Sequence, residues 1–229
     1  MSVCKTRERF RILQKRSWKH KLIDSYNTVI SPGAAQVIEK RSRFIAKAVA
    51  VADAGEAAGI IADVRSEHFA AKHHVFAYIL RGTPVVERYS DDAEPQGTAG
   101  MPILEVLRGA GLENSMIVVT RYFGGVLLGT GGLSRAYSSA ASEALKAAKT
   151  VKMSLFCNMT LGVDYNRYGR LPAMIAEFGG RVISSDFADD VTVSFSLPYK
   201  KEAEFCAALT ELSCGSLTPQ KTGECFLPE

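Results

Sequence analysis

The sequence predicts an α+β protein of two units, on three observations. Strand-like and helix-like periodicities alternate through the first two thirds of the chain. A glycine-rich stretch then opens the clearest helix, and from residue 150 the order becomes β-α-β-β-α-β, the ferredoxin-like arrangement. At 229 residues the chain is long enough for one large or two modest domains. The expected division is a basic N-terminal extension over residues 1–23, a first domain over 24–149 and a ferredoxin-like domain over 150–229.

In the first unit, Arg43 to Val51 alternates as a strand. Asp53 with Glu56 three places on is a capping box, opening a helix whose apolar face is Ala57, Ile60, Ile61 and Val64. Val75 to Leu80 reads as a strand and Pro84 to Tyr89 as an extended piece leading into a polar turn. Thr98 is placed to cap a helix that takes Pro102 in its first turn, buries Ile103, Leu104 and Leu107, and stops at Gly109. Ser115 to Phe123 is a buried strand, followed by the glycine-rich loop Gly124 to Gly132. The next helix sets Leu133, Ala136, Tyr137, Ala140, Ala141, Ala144, Leu145 and Ala148 on one face, with Arg135, Ser138 and Ser139 on the wet side.

The second unit follows as a strand over Val151 to Val163, a helix over Tyr165 to Phe178, hairpin strands over Arg181 to Phe187 and Val191 to Leu197, a helix over Lys200 to Leu212 and a strand over Ser216 to Leu227. Pro172 conflicts with an unbroken first helix, since a mid-helix proline removes a hydrogen bond.

Composition narrows the classes. Apolar residues at 47% and charged residues at 23% are globular values, which exclude a disordered or collagenous chain. No stretch approaches the roughly 18 apolar residues of a membrane helix, and the N-terminus lacks the apolar core of a secretory signal, so a cytoplasmic protein with no membrane association is expected. Five cysteines without a C-x-x-C pair read as reduced thiols rather than a disulfide framework or zinc ribbon, Cys206 among them as a buried structural thiol. The net charge of +4 lies entirely in residues 1–23, at +7; residues 24–149 carry thirteen charges of each sign and residues 150–229 a net of −3. The arm from Lys5 to Lys21 either neutralises nucleic-acid phosphates or is merely solvated.

The chemistry concentrates in two segments. From Thr120 to Tyr137 a glycine-rich turn ahead of a helix N-terminus presents backbone N–H groups to an anion, and Arg121 and Arg135 add guanidinium forks suited to phosphate or carboxylate. The candidate anion-binding residues are Arg121, Gly124, Gly125, Gly129, Thr130, Gly131, Gly132 and Arg135. The spacing is neither a Walker A motif nor a dinucleotide fingerprint. The competing reading is that the glycines only permit positive φ and close packing, with Arg121 paired to a carboxylate.

In the other segment Asp91, Asp92 and Glu94 either hold a hard cation or stabilise a turn through side-chain hydrogen bonds, with the turn favoured. His73 and His74, adjacent in a strand, face opposite sides and cannot chelate one ion together. His20 and His68 have no visible partner. Tyr122 and Phe123 either stack on a base or pack in the core. No signature nominates a nucleophile, and no catalytic residue, metal site or cofactor is assigned.

Ser90-Asp91-Asp92-Ala93-Glu94-Pro95-Gln96-Gly97-Thr98-Ala99-Gly100, followed by Val118-Val119-Thr120-Arg121-Tyr122-Phe123-Gly124-Gly125 and the loop through Gly132-Leu133, resembles the signature of the YigZ/IMPACT family. The resemblance extends more loosely from Tyr26 through Ser42-Arg43-Phe44-Ile45 and His73 to residue 149, and the second half resembles the C-terminal domain of bacterial members. Ala93 departs from the family pattern, which usually has glycine there. The resemblance implies a first domain like domain 2 of ribosomal protein S5, a second like the last domain of the ribosomal translocase, and a second motif made of Asp91, Asp92, Glu94, Gln96, Gly97 and Thr98. It further implies RNA or the ribosome as partner and a role in translation regulation. A protein-docking module and a nucleotide- or phosphate-utilising enzyme of the S5-like superfamily are the alternatives.

Overall fold

A computed structural model of the protein describes residues 24–229. The basic arm, with Cys4 and His20, lies outside the described residues.

The first sheet runs β2-β3-β6-β4-β5, antiparallel at every pairing, from β2 (Gly33–Glu39), β3 (Ser42–Ala50), β4 (His73–Leu80), β5 (Val86–Ser90) and β6 (Ser115–Tyr122). Helices cover both faces. Phe44, Ala46, Ala48, Val75, Ala77, Ile79, Ile117 and Val119 pack against α2 (Gly100–Gly109) and α3 (Gly129–Ala147). Val49, Tyr78, Met116 and Val118 receive Ala57 and Val64 of α1 (Ala54–Glu67). With apolar side chains required on both sides, β6 carries the apolar run Met116 to Val119 at its centre and is buried along nearly its whole length, polar Ser115, Thr120 and Arg121 included. The alanine face of α3 lets its backbone approach β2 closely: a Cβ on Gly33 would stand 2.2 Å from the amide nitrogen of Ala148.

Two helix starts differ from expectation. Asp53 caps α1 as predicted, its Oδ1 accepting the Glu56 amide at 2.9 Å, although Glu56 reaches back to the amide of Ala52 rather than to that of the cap itself. Thr98 does not cap α2: its hydroxyl donates to the Pro95 carbonyl at 2.6 Å. The predicted loop before α3 also ends early, because the helix begins at Gly129 and takes Gly129 to Gly132 as its first turn. Leu128, the N-cap, is buried in the core and draws the chain into the helical path one turn sooner.

The second sheet is built on β7 (Lys149–Val163). With β8 (Arg181–Phe187), β9 (Val191–Pro198) and β10 (Gln220–Pro228) it has the order β8-β9-β7-β10, that of a ferredoxin-like β-α-β-β-α-β chain. Cys157, Met159, Leu161, Val193, Phe195 and Leu197 on one face meet Leu171 and Ile175 on one helical segment and Phe205 and Leu209 on another. The single helix expected over 165–178 is two, α4 (Tyr165–Tyr168) and α5 (Leu171–Glu177), broken at Gly169–Arg170. Pro172 thereby falls in a first turn, where its missing N–H costs nothing. A 3-10 turn over Tyr199–Lys201 leads into α6 (Glu202–Ser213).

β1 (Ser25–Ser31), like β2 not predicted, joins the two sheets. It pairs with β7 from Ser25↔Ser154 to Ser31↔Lys149, yet its Val29 side chain is buried in the core of the first sheet. The four described cysteines are free, Cys206 only half-buried, and no helix among the described residues is long and apolar enough to cross a membrane.

Candidate functional site

Both sequence motifs meet at one end of the first sheet, where β3, β6 and β4 place Phe44, Arg121 and His73 side by side in register. The link from β5 to α2 turns sharply there, with Asp92 at φ 42° and Ala93 at φ 67°. The turn frees the carboxylate of Asp91 to take up donors ahead of it. Its Oδ2 accepts the Gly97 amide at 2.8 Å, and its Oδ1 accepts the amides of Ala99 at 3.0 Å and Gly100 at 2.8 Å. Asp91 thus caps α2 from eight and nine residues away, a spacing that local capping rules do not anticipate. Asp92 accepts from Arg65 Nη2 and from the His74 amide, both at 2.6 Å, and its carbonyl accepts from His73 Nδ1 at 2.9 Å. These two aspartates serve the turn. Gln96 and Gly97 are exposed beside it.

Glu94 is buried and central. Its Oε1 accepts from Arg121 Nη1 and from the Tyr137 hydroxyl, both at 2.7 Å, and His73 Nε2 lies 4.0 Å away. Arg121 therefore has a carboxylate as its partner, with a side chain 6% exposed. Its Nη2 reaches Ser42 Oγ at 3.4 Å, which in turn accepts the Gly124 amide at 3.2 Å. The chain Glu94–Arg121–Ser42–Gly124 ties one motif to the other beneath the loop. Arg121 Nε is buried without a hydrogen-bond partner. Burial, reinforced by the charge of Glu94, pushes the Tyr137 phenol far above its ordinary value and keeps it a hydrogen-bond donor.

Above this network lies an open surface. Gly125, Val126 and Leu127 are exposed, as are Gly129, Thr130 and Gly131 in the first turn of α3, which has no side-chain cap and no acidic residue. Arg135 is exposed one turn on, and Phe123 is 53% exposed at the loop's start. A Cβ on Gly124 would lie 2.0 Å from the carbonyl carbon of Arg41, so the loop is seated directly on the β2–β3 turn. That contact brings Lys40 and Arg41, both exposed, alongside the loop; exposed Arg43 stacks on Tyr122 at 4.5 Å, on the opposite face of the sheet, where Tyr122 bonds His68 at the end of α1. These three cations are absent from the candidate residues read in the sequence because β2, with Gly33, Ala34, Ala35 and Gln36, has little strand character and its hairpin went unread.

Two layers, a buried ionic tie and an exposed loop leading into an uncapped helix start, lie together at one end of the first sheet of an α+β scaffold. Residues 40–145 match the Impact N-terminal domain, and residues 161–216 match a domain of unknown function (DUF1949). The chain is 40% identical over 182 residues to the IMPACT family member YigZ of Escherichia coli (strain K12), covering 78% of this chain and 88% of that protein. It is 34% identical over 194 residues to the IMPACT family member YvyE of Bacillus subtilis (strain 168), covering 85% and 89%. A solved structure described as that of a hypothetical protein superposes with a TM-score of 0.59 at 35% identity, over 88% of this chain and 99% of the other. The chain belongs to the IMPACT family.

Proposed function

We propose that this protein is an RNA- or ribosome-associated regulator of translation that holds phosphate groups on the rim formed by Gly124, Gly125, Gly129, Thr130, Gly131, Gly132 and Arg135 together with Lys40 and Arg41. The observation that carries this reading is the gathering of three exposed cations, Lys40, Arg41 and Arg135, about the glycine loop and the uncapped α3 it leads into, in a segment whose formal charges sum to zero. Backbone amides and the helix dipole favour an anion there, and half-exposed Phe123 offers a ring to a base. Arg121 acts from beneath, holding the loop through Ser42. Asp91, Asp92, Glu94 and Thr98 hold the adjoining turn, which sets Gln96 and Gly97 at the edge of the same surface.

The test is retention of single-stranded RNA by the full chain across a salt series. Each phosphate contact contributes a slope of about −0.7 in log K against log salt. Replacing Lys40, Arg41 and Arg135 by serine is expected to shallow that slope by about 2. An unchanged slope would remove the rim from the reading. A thermal rise with ATP and Mg²⁺ that the same triple variant abolishes would transfer the rim to a nucleotide-utilising enzyme.

A further inference from the structure

The break between α4 and α5 leaves the second unit incompletely packed. At Gly169–Arg170 the helical path turns, while at the other side α6 ends and Cys214 and Gly215, at φ 51° and 80°, carry the chain away toward β10. Between the two helical segments a cleft of about 290 Å³ remains open. Its floor is apolar: Leu171 and Leu209 are buried, and Met174 and Leu217 are half-buried at the walls.

The mouth is cationic. Arg167 is held there by its own neighbours, with Nη1 donating to Ser216 Oγ at 3.0 Å and Nε standing 3.5 Å from Asp164. Arg170 is exposed and forms no ion pair among the described residues. Two guanidiniums against one carboxylate leave a single positive charge at the edge of an apolar slot. That charge pattern is complementary to a monoanion with a hydrocarbon tail, and the planar fork of Arg170 matches a carboxylate in a bidentate pair.

We propose that this cleft is a binding site for small aliphatic monocarboxylates, with the tail on Leu171, Leu209 and Met174 and the carboxylate on Arg170. The site is separate from the rim of the first unit and acts independently of it. The volume lies at the lower end of ligand pockets, which sets the occupant at the scale of a medium-length acyl chain.

Calorimetric titration of the full chain with octanoate, below its micellar concentration, tests the proposal. Saturable binding at one site is expected, roughly fifteenfold weaker for hexanoate, which lacks two methylenes each worth about fourfold when buried. Octanol, with the same tail and no charge, is expected to bind at least tenfold more weakly, and so is octanoate to the Arg170→Gln variant, whose surface substitution leaves the unliganded melting temperature in place. Met174→Trp, which fills the slot, is expected to abolish binding; should it unfold the chain, the Arg170→Gln and chain-length comparisons decide. Arg135→Ser is expected to bind octanoate as the parent does, which separates this site from general cationic attraction and from the RNA reading. Non-saturable uptake, equal affinity for octanol, or indifference to Arg170→Gln would overturn it.

Discussion

Ala93 adopts φ 67°, the left-handed region that costs a residue with a Cβ about 1–2 kcal/mol relative to glycine. The family resemblance places glycine at this position, and the backbone explains why. Ala93→Gly is therefore expected to raise the unfolding free energy in urea by about 1 kcal/mol, after the entropy glycine adds to the unfolded chain is offset. A loss of stability would mean the turn is not left-handed in solution. The buried pair allows a sharper test. Arg121→Met or Glu94→Gln alone leaves a charge buried without its counter-ion and is expected to cost about 3–5 kcal/mol. The double variant removes both charges, and the amide oxygen introduced by Glu94→Gln still accepts from the Tyr137 hydroxyl. It is expected to cost clearly less than the sum, read from the same urea transitions; additive losses would show that the two side chains do not act as a pair.

At the scale of elements, what was legible was whatever is specified by near neighbours. The apolar stripe of α3, the buried run of β6 and the Asp53 cap of α1 were all readable, because 3.6-residue periodicity, unbroken hydrophobicity and an i to i+3 hydrogen bond are local. The cap of α2 was not readable: the acceptor is Asp91, brought back by a turn through two left-handed residues, and Thr98 at the expected place bonds elsewhere. Nor could the pairing of Glu94 with Arg121 be located from residues 27 apart, although a carboxylate partner for Arg121 was one of the two readings left open.

The junction of α1 with β4 carries a further such tie. His74 is buried, and its Nε2–H donates to the His68 carbonyl at 3.3 Å. Burial holds its pKa below the ordinary value of 6.5, against the opposing charge of Asp92. The unfolded chain therefore takes up this proton first as pH falls. The stability associated with His74 is complete above about 6.5 and is lost progressively below it, toward the folded value. Urea midpoints at about pH 7.5 and pH 5.5 are expected to fall between the two conditions, and to fall less for His74→Gln. An identical drop in the variant would assign the pH dependence to other groups.

Across the whole molecule, β1 couples two cores that the order of elements alone would leave separate. Its backbone extends the second sheet along β7, while Val29 is 2% exposed in the first core. The Thr28 hydroxyl donates to the Asn114 carbonyl at 3.2 Å, and the Val29 amide donates to Ser115 Oγ at 3.2 Å. Arg81, from the end of β4, lies 4.6 Å from the rings of both Tyr26 on β1 and Phe226 on β10, adding a second bridge across the same seam. Because one strand satisfies both sheets, neither can open without exposing part of the other, and scanning calorimetry is expected to record one cooperative transition for the full chain. Val29→Asp places a charge in the first core and expels the strand from it, while leaving the β1–β7 backbone pairing free to persist. The expected result is two separated transitions, the earlier one from the first sheet, since its core loses the buried valine and gains nothing to pair the carboxylate. Two transitions already in the parent protein would show that β1 is a loose appendage and that the halves fold independently. A single transition in the variant, merely shifted down, would show that the coupling runs instead through the direct continuation of α3 into β7.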